Sequence, residues 1–238
     1  MKKTALITGA SGEIGSAIAK RLAGDGYELG LCGYRNQEAL EKLAGELRAS
    51  GKKVQCFYGD AADPSFAASC AEAFSSPSLL VNAAGIAHFS LLQDMSGEEW
   101  RRILAVNLDS VFAFCRAVIP PMLKAGSGRI INISSVWGRV GASMECAYSA
   151  SKGGVDALTR ALAKELAPSS IAVNALACGY IDTKMNGHLS EDEKKALAEE
   201  IPAGRAGSVT EVAECVSLLA RAPYYLTGQI IGLDGGWY

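Results

Sequence analysis

Thr4-Ala5-Leu6-Ile7-Thr8-Gly9-Ala10-Ser11-Gly12-Glu13-Ile14-Gly15 is the stretch from which the fold is read. A short apolar run meets three glycines at three-residue spacing, and Ala17, Ile18 and Leu22 follow at helical spacing. That pattern predicts a strand, a tight turn and a helix. Amides at the start of such a helix can approach a pyrophosphate closely, provided that the turn is glycine-rich. One glycine match alone is weak; its place at the first strand-to-helix junction of a repeating series makes it informative.

The same alternation continues. Strands are expected at 29–32, 54–58, 79–81, 129–134, 171–176 and 229–233, with helices at 36–50, 67–74, from about 98 toward 120, and at 148–166, 190–200 and 209–219. The 148–166 helix carries Val155, Leu158, Leu162 and Leu166 on one stripe and small residues (Ala150, Gly154, Ala157, Ala161) on another. Strict alternation implies parallel strands, right-handed crossovers and helices on both faces. The expected fold is α/β, a doubly wound parallel sheet of about seven strands. No linker divides the chain, so residues 1–238 are expected to form one domain, with the polar segment at about 184–208 as a mobile lid over the substrate.

Composition narrows the function. With 49% hydrophobic and 20% charged residues and a formal net charge of −2, the chain has the make-up of a soluble globular protein, and no basic block suggests nucleic acid or anionic membranes. No signal segment or membrane-length apolar stretch is expected; Lys2 and Lys3 precede too short an apolar run. The seven cysteines (32, 56, 70, 115, 146, 178, 215) are scattered without a Cys-x-x-Cys, as expected for reduced thiols in a cytoplasm. His88 and His188 are too isolated to suggest a metal site.

A second stretch carries chemistry: Tyr148-Ser149-Ala150-Ser151-Lys152, with Ser135 thirteen positions upstream at the end of an apolar strand. Tyr148 and Lys152 share a helix face, so an ammonium beside the phenol is expected to lower its pKa. Ser135 can polarise a carbonyl oxygen that the phenol protonates. By itself Tyr-x-x-x-Lys is more often a solvated surface pair. Likewise Asp60 can simply cap a turn, Asn107 can be an exposed polar residue in a helix, and Ser135 a strand-end cap.

Taken together, Thr8-Gly9…Gly15, Asp60, Asn82-Ala83-Ala84-Gly85, Asn107, Ser135, Tyr148, Lys152 and Cys178-Gly179 followed by Ile181 and Thr183 resemble the classical short-chain dehydrogenase/reductase family over nearly the whole chain. The resemblance implies a Rossmann-like fold and a carbonyl reduction in which Tyr148 is the general acid. It implies that Lys152 holds the nicotinamide ribose, Ser135 the substrate carbonyl, and Asn107 a water linking Lys152 to solvent. It further implies that Thr8, Gly9, Ser11, Gly12, Ile14 and Gly15 line the phosphate turn, Asp60 and Ala61 the adenine, and Asn82, Ala84 and Gly85 the adenosine side. Gly179, Ile181 and Thr183 would meet the nicotinamide carboxamide. The chain departs from the pattern at Glu13 (usually Gly), Ala83 (usually Asn) and Cys178 (usually Pro). Glu13 puts a negative charge near a pyrophosphate unless it points away. After the second strand, Cys32-Gly33-Tyr34-Arg35-Asn36 has no acid to repel a 2′-phosphate, and Arg35 is in reach, so NADP(H) is favoured over NAD(H).

The overall pattern is similar to bacterial 3-oxoacyl-acyl-carrier-protein reductases, although the expected basic docking positions (Lys124 to Ser127, Pro168 to Ser170) are thin. The run from Trp137 through Ser143, Met144 and Glu145 to Tyr148 is also similar to a sister group that reduces the 5-aminopentanone modification on elongation factor P. Glu145 then either meets a substrate ammonium or caps the Tyr148 helix. Trp137 and Met144 are expected in an apolar pocket wall. Three readings follow: a reductase of a small 3-oxoacyl ketone carried on acyl carrier protein or CoA, a reductase of the elongation factor P ketone, and a non-catalytic dinucleotide-binding regulator. The resemblance also implies a homotetramer.

Overall fold

The computed structural model describes residues 3–74, 77–187 and 189–238; Lys2 and His188 lie outside them. Seven strands form one parallel sheet in the order β3-β2-β1-β4-β5-β6-β7. They are β1 (Thr4–Thr8), β2 (Glu28–Gly33), β3 (Val54–Tyr58), β4 (Leu79–Asn82), β5 (Gly128–Ser135), β6 (Ile171–Cys178) and β7 (Ile230–Leu233). β1 and β6 are buried along their whole length, as strands covered on both faces must be.

The two-residue strand period divides the side chains into two cores. Ala5, Ile7, Leu79, Val81 and Ile131 pack with α1 (Glu13–Gly24), α2 (Gln37–Ala49) and α9 (Val209–Arg221). Leu6, Leu80 and Ile130 face the other way, against α3 (Pro64–Ala73), α5 (Ser110–Ala125) and α7 (Cys146–Leu166). Helices therefore cover both faces. The helices begin where Ser-x-x-Glu boxes lie: Ser96/Glu99 opens α4 (Gly97–Leu104), Ser190/Glu193 opens α8 (Glu191–Glu200), and Ser208/Glu211 opens α9.

Two local features differ from the sequence-based expectation. A single turn, α6 (Trp137–Val140), lies between Ser135 and Tyr148, and α7 starts at Cys146 rather than Tyr148. The helix expected to end near Pro120 runs on through Pro120 and Pro121 to Ala125, because Val118 and Met122 bury their side chains in the core on either side of the prolines. With α4 and a π turn at Ala105–Asp109 it forms a continuous helix, Gly97–Ala125, of 29 residues. Contrary to the expectation, that helix is long and apolar enough to cross a membrane, but half of its most apolar window is buried inside the protein. The buried half of its apolar surface packs in the core, while Phe112 and Leu123 remain exposed.

Strand order reverses between β1 and β4, and the chain is pinned there. Thr8 Oγ1 accepts hydrogen bonds from the amides of Ala83 (3.0 Å) and Ala84 (3.1 Å). Gly9 adopts φ +67°, and a Cβ on it would stand 2.7 Å from the Ala83 carbonyl oxygen and the Ala84 main chain. Only glycine fits. Thr8→Val keeps the side-chain shape and removes the acceptor from two amides. It is expected to lower the unfolding free energy by about 1–3 kcal/mol in chemical denaturation; an unchanged midpoint and slope would refute the pin.

Candidate active site

All parallel strands end on one edge, and a cleft of about 240 Å³ opens there. Its wall includes Ile14 from α1, Gly85 after β4, Ser135 at the end of β5, Trp137 from α6, Glu145, Tyr148 and Lys152 around and along α7, and Gly179, Ile181 and Thr183 after β6. Ten residues singled out from the sequence thus meet at one place.

What brings Tyr148 and Lys152 there is a buried polar ladder. Asn82 Nδ2 donates to Asn132 Oδ1 (2.8 Å), Asn132 Nδ2 donates to Thr159 Oγ1 (2.9 Å), and Thr159 Oγ1 donates to the Val155 carbonyl (2.8 Å). The ladder fastens α7 to β4 and β5. The Asn82 side chain is turned into the interior, where Oδ1 has no partner, so a cofactor contact from this residue is left to its main chain.

Asn107 sits in the π turn, a distortion frequent at functional sites. Its Oδ1 accepts from the Ile86 amide (2.9 Å), and Nδ2 donates to the Ile86 carbonyl (2.9 Å) and to Ser151 Oγ (3.1 Å). The residue clamps the loop after β4 against α7 and stands behind the cleft wall. Both donors are engaged, so a water relay could use only the second lone pair of Oδ1. A Cβ on Gly85 would lie 3.6 Å from both Asn107 Oδ1 and Lys152 Nζ, so both polar groups come close to the Gly85 main chain.

Burial governs the electrostatics. Tyr148 was expected to titrate low because of Lys152; instead burial raises its pKa, against a lowering contribution from the Ser135 hydroxyl. Lys152 Nζ lies 5.6 Å from the centre of the Tyr148 ring and donates to the Ile133 carbonyl (2.8 Å). Burial pulls Lys152 down to about 8. A neutral phenol is the form that gives a proton, and an ammonium on the edge of neutrality can replace it. Burial lifts Glu145 in the cleft to about 7; it stands at the N-cap position of α7, as the capping alternative has it, but makes no side-chain capping hydrogen bond.

Ser143 and Met144, expected in the substrate pocket, are outside the cleft wall and exposed. Met144 has φ +63° and its carbonyl accepts from the Ser90 amide (2.9 Å); the left-handed turn leaves Glu145 as the residue that faces the cleft. Phe89, Tyr180 and Trp237 line the cleft, where the sequence reading does not place them, and Met185, Leu189 and Leu197 reach it from the segment at 184–208 expected as the lid. Trp237 packs edge-on against Trp137 (5.1 Å between ring centres), and Tyr238 joins them (5.6 Å from Trp137). The usable signal was positional: β7 is parallel, so an aromatic tail just after it must emerge on the cleft edge.

The phosphate turn fits a dinucleotide. A Cβ on Gly15 would come within 2.3 Å of the Gly9 carbonyl oxygen, so the helix starts directly on the turn, and Gly12 donates its amide to Gly9 (3.0 Å) while staying exposed. Ser11 Oγ lies close to Gly33, where β2 ends. Tyr34 and Arg35 follow, both exposed, and Asn36 caps α2 through its side chain. Asp60 accepts from the Ala62 amide (3.0 Å) and pairs with Arg102 (2.7 Å), with Ala61 between; burial disfavours its charge, but these bonds outweigh it and hold it below the usual carboxylate range. Glu13 is exposed and turned away from the phosphate turn. Its Oε2 accepts from the Lys184 amide (2.6 Å), tying α1 to the segment that carries Met185 and Asn186.

Sheet order, glycine turn and cleft define a dinucleotide-binding oxidoreductase of the α/β kind. A profile of the short chain dehydrogenase family matches residues 3–194. The chain is 38% identical to the uncharacterized oxidoreductase YmfI of Bacillus subtilis over 241 residues, covering 100% of both. It is 38% identical to the 3-oxoacyl-[acyl-carrier-protein] reductase FabG of Staphylococcus aureus over 243 residues (100% of this chain, 99% of that one), and 37% identical to FabG of Escherichia coli over 241 (99% and 97%). Its fold matches a solved 3-oxoacyl-[acyl-carrier protein] reductase from Brucella melitensis with a TM-score of 0.94 at 31% identity, covering 99% and 91% of the two chains. A putative gluconate dehydrogenase from Agrobacterium tumefaciens matches with 0.95 at 30% identity (99% and 95%). The chain belongs to the short-chain dehydrogenase family.

The Glu13 tether separates hydrogen bonding from charge. Glu13→Gln keeps an acceptor for the Lys184 amide; Glu13→Ala does not. Tryptic cleavage after Lys184 is expected to run roughly three- to tenfold faster in Glu13→Ala and near the wild-type rate in Glu13→Gln. Equal rates in all three proteins would show that the tether holds nothing.

Proposed function

We propose that this protein is an NADPH-dependent reductase that converts a ketone into a secondary alcohol. The observation that carries the reading is the meeting of the Ser135 and Tyr148 hydroxyls above the buried ammonium of Lys152 at the edge where the dinucleotide turn also lies. A bound nicotinamide dinucleotide supplies the hydride. Ser135 donates a hydrogen bond to the carbonyl oxygen, and Tyr148 gives that oxygen its proton as negative charge develops on it. Lys152 holds the ribose hydroxyls and replaces the phenol proton. The glycine turn at Gly9, Gly12 and Gly15 holds the pyrophosphate with Thr8, Ser11 and Ile14 beside it, and Gly179, Ile181 and Thr183 meet the carboxamide. Arg35, in a stretch without an acid, favours a 2′-phosphate and hence NADP(H). A non-catalytic dinucleotide-binding regulator would have no use for the Ser135–Tyr148–Lys152 group. The free cysteines suit a cytoplasmic location, and the exposed small residues Ala150, Ala157 and Ala161 on α7 suit pairing within a homotetramer.

For the substrate, the relatives in Staphylococcus aureus and Escherichia coli favour a 3-oxoacyl thioester on acyl carrier protein or CoA. One observation favours a second reading, a ketone bearing a cationic amine, such as the 5-aminopentanone group on elongation factor P. The Glu145 carboxyl is half-buried in the cleft, makes no side-chain capping hydrogen bond and is raised to about 7 by burial, so a substrate ammonium would meet a carboxylate without a competing cation.

Oxidation of NADPH and NADH is to be followed with acetoacetyl-CoA and with an amine-bearing ketone, in wild type and Tyr148→Phe. NADPH turnover that falls by at least about 10²-fold in Tyr148→Phe is expected. Dinucleotide binding with neither ketone reduced would overturn the reading. Glu145→Gln is expected to raise KM for the amine-bearing ketone by roughly tenfold and to leave KM for acetoacetyl-CoA unchanged. In wild type the same KM should rise as pH falls through about 7, where Glu145 takes up a proton. Equal effects on both ketones would count against the second substrate.

A further inference from the structure

Lys152 is 5% and Asp156 2% exposed, and no other Asp, Glu, Lys or Arg among the described residues is buried to that degree. They stand one turn apart on the same face of α7. Neither oxygen of Asp156 reaches solvent or accepts a hydrogen bond. Lys152 has one protein acceptor, the Ile133 carbonyl. A buried carboxylate is expensive unless an opposite charge compensates it, and the most buried cation among the described residues, Lys152, stands one turn before this one on α7.

The seal over the pair is made of main chain. A Cβ on Gly138 would be 2.8 Å from the Lys152 carbonyl carbon and 2.9 Å from the Gly153 nitrogen, and one on Gly153 would be 3.2 Å from the Gly138 oxygen. Two glycines thus let α6 lie directly on the turn that joins Lys152 to Asp156, and solvent is excluded.

The groups around the pair can be named from every side. On α7 are Tyr148, whose phenol burial keeps neutral, and Arg160, which is exposed. α6 contributes the exposed Arg139, and β6 contributes Cys178, a thiol that burial pushes up to about 12. β5 contributes Ser134, whose hydroxyl lies near Asp156 and donates to the Lys152 carbonyl (3.5 Å). Glu145 acts on Tyr148 from the cleft side. Asp156 is therefore the acid buried on the Lys152 side.

We propose that Asp156 is the fixed counter-charge of Lys152, a positioning residue that keeps the buried ammonium charged. It touches neither substrate nor cofactor and acts only through Lys152. The importance of that charge for turnover rests on the carbonyl-reductase reading above; the electrostatic coupling does not. Burial pulls Lys152 toward neutrality, and Cys178 and Asp156 oppose it; burial raises Asp156 in turn, against the Ser134 hydroxyl and the charges of Arg160, Lys152 and Arg139. The sign follows. Without Asp156 the ammonium is lost at lower pH, so the alkaline limb of kcat and the alkaline loss of NADPH affinity both move to lower pH.

The test uses the full-length protein with 13C at the lysine Cε and aspartate Cγ positions. In wild type, NMR titration should show Asp156 ionised at pH 7. In Asp156→Asn the Lys152 titration and the alkaline limb of kcat should both move down by about one pH unit, with the melting temperature read alongside. A Lys152 titration that stays in place in Asp156→Asn would overturn the proposal, as would an Asp156 that stays protonated at pH 7 in wild type. The wild-type titration needs no folded variant, and both NMR readouts stand even if no ketone is turned over. A Lys152 shift without ketone turnover would leave the counter-charge intact and remove the reductase reading alone.

Discussion

Main chain meets main chain at the point where strand order reverses, and the rest of the site depends on that contact. Gly9 has no room for a side chain against Ala83 and Ala84, and the Thr8 hydroxyl binds the two amides beyond β4. The close approach fixes the phosphate turn on one side and the start of the substrate cleft on the other. Gly15 adds the third member by seating α1 on the Gly9 carbonyl. Substituting any of these would separate two loops that must lie within reach of one ligand.

From that frame, burial sets the chemistry. The same apolar surroundings raise Tyr148 and Glu145 and lower Lys152. Each shift favours the neutral form, as desolvation must. A cleft of this kind keeps the Tyr148 phenol protonated and leaves the work of charging its groups to whatever is bound. The Ser135 hydroxyl pushes back on the phenol, and Cys178 and Asp156 push back on the ammonium.

Much of this was legible in the sequence because it is carried by local spacing. The glycine turn, the strand–helix alternation and the Tyr148/Lys152 pair each lie within one element or one junction. What escaped was set by distant partners. Trp237 meets Trp137 across a hundred positions, and nothing periodic links them. Glu13 looked like a misplaced charge because its partner, the Lys184 amide, is 171 positions away. Met144 is apolar and next to Glu145, which suggested a pocket wall, but a left-handed turn pinned by Ser90 faces it outward. The continuous Gly97–Ala125 helix was cut short in the reading because prolines normally end helices.

The pKa of Tyr148 shows why chemical identity and spacing cannot be converted directly into electrostatics. One helical turn between a phenol and an ammonium predicts attraction in water. Here Lys152 donates to the Ile133 carbonyl, and Asp156, which we propose as its counter-charge, stands one turn further along α7. The helix therefore presents Tyr148, Lys152 and Asp156 as a row with one group per turn, exposed to the cleft at one end and sealed by Gly138 and Gly153 at the other. Such a row needs a small-residue contact as much as it needs its charges. A side chain at Gly138 would lift α6, admit water to Asp156 and weaken the field that holds Lys152, without altering any group that touches a ligand.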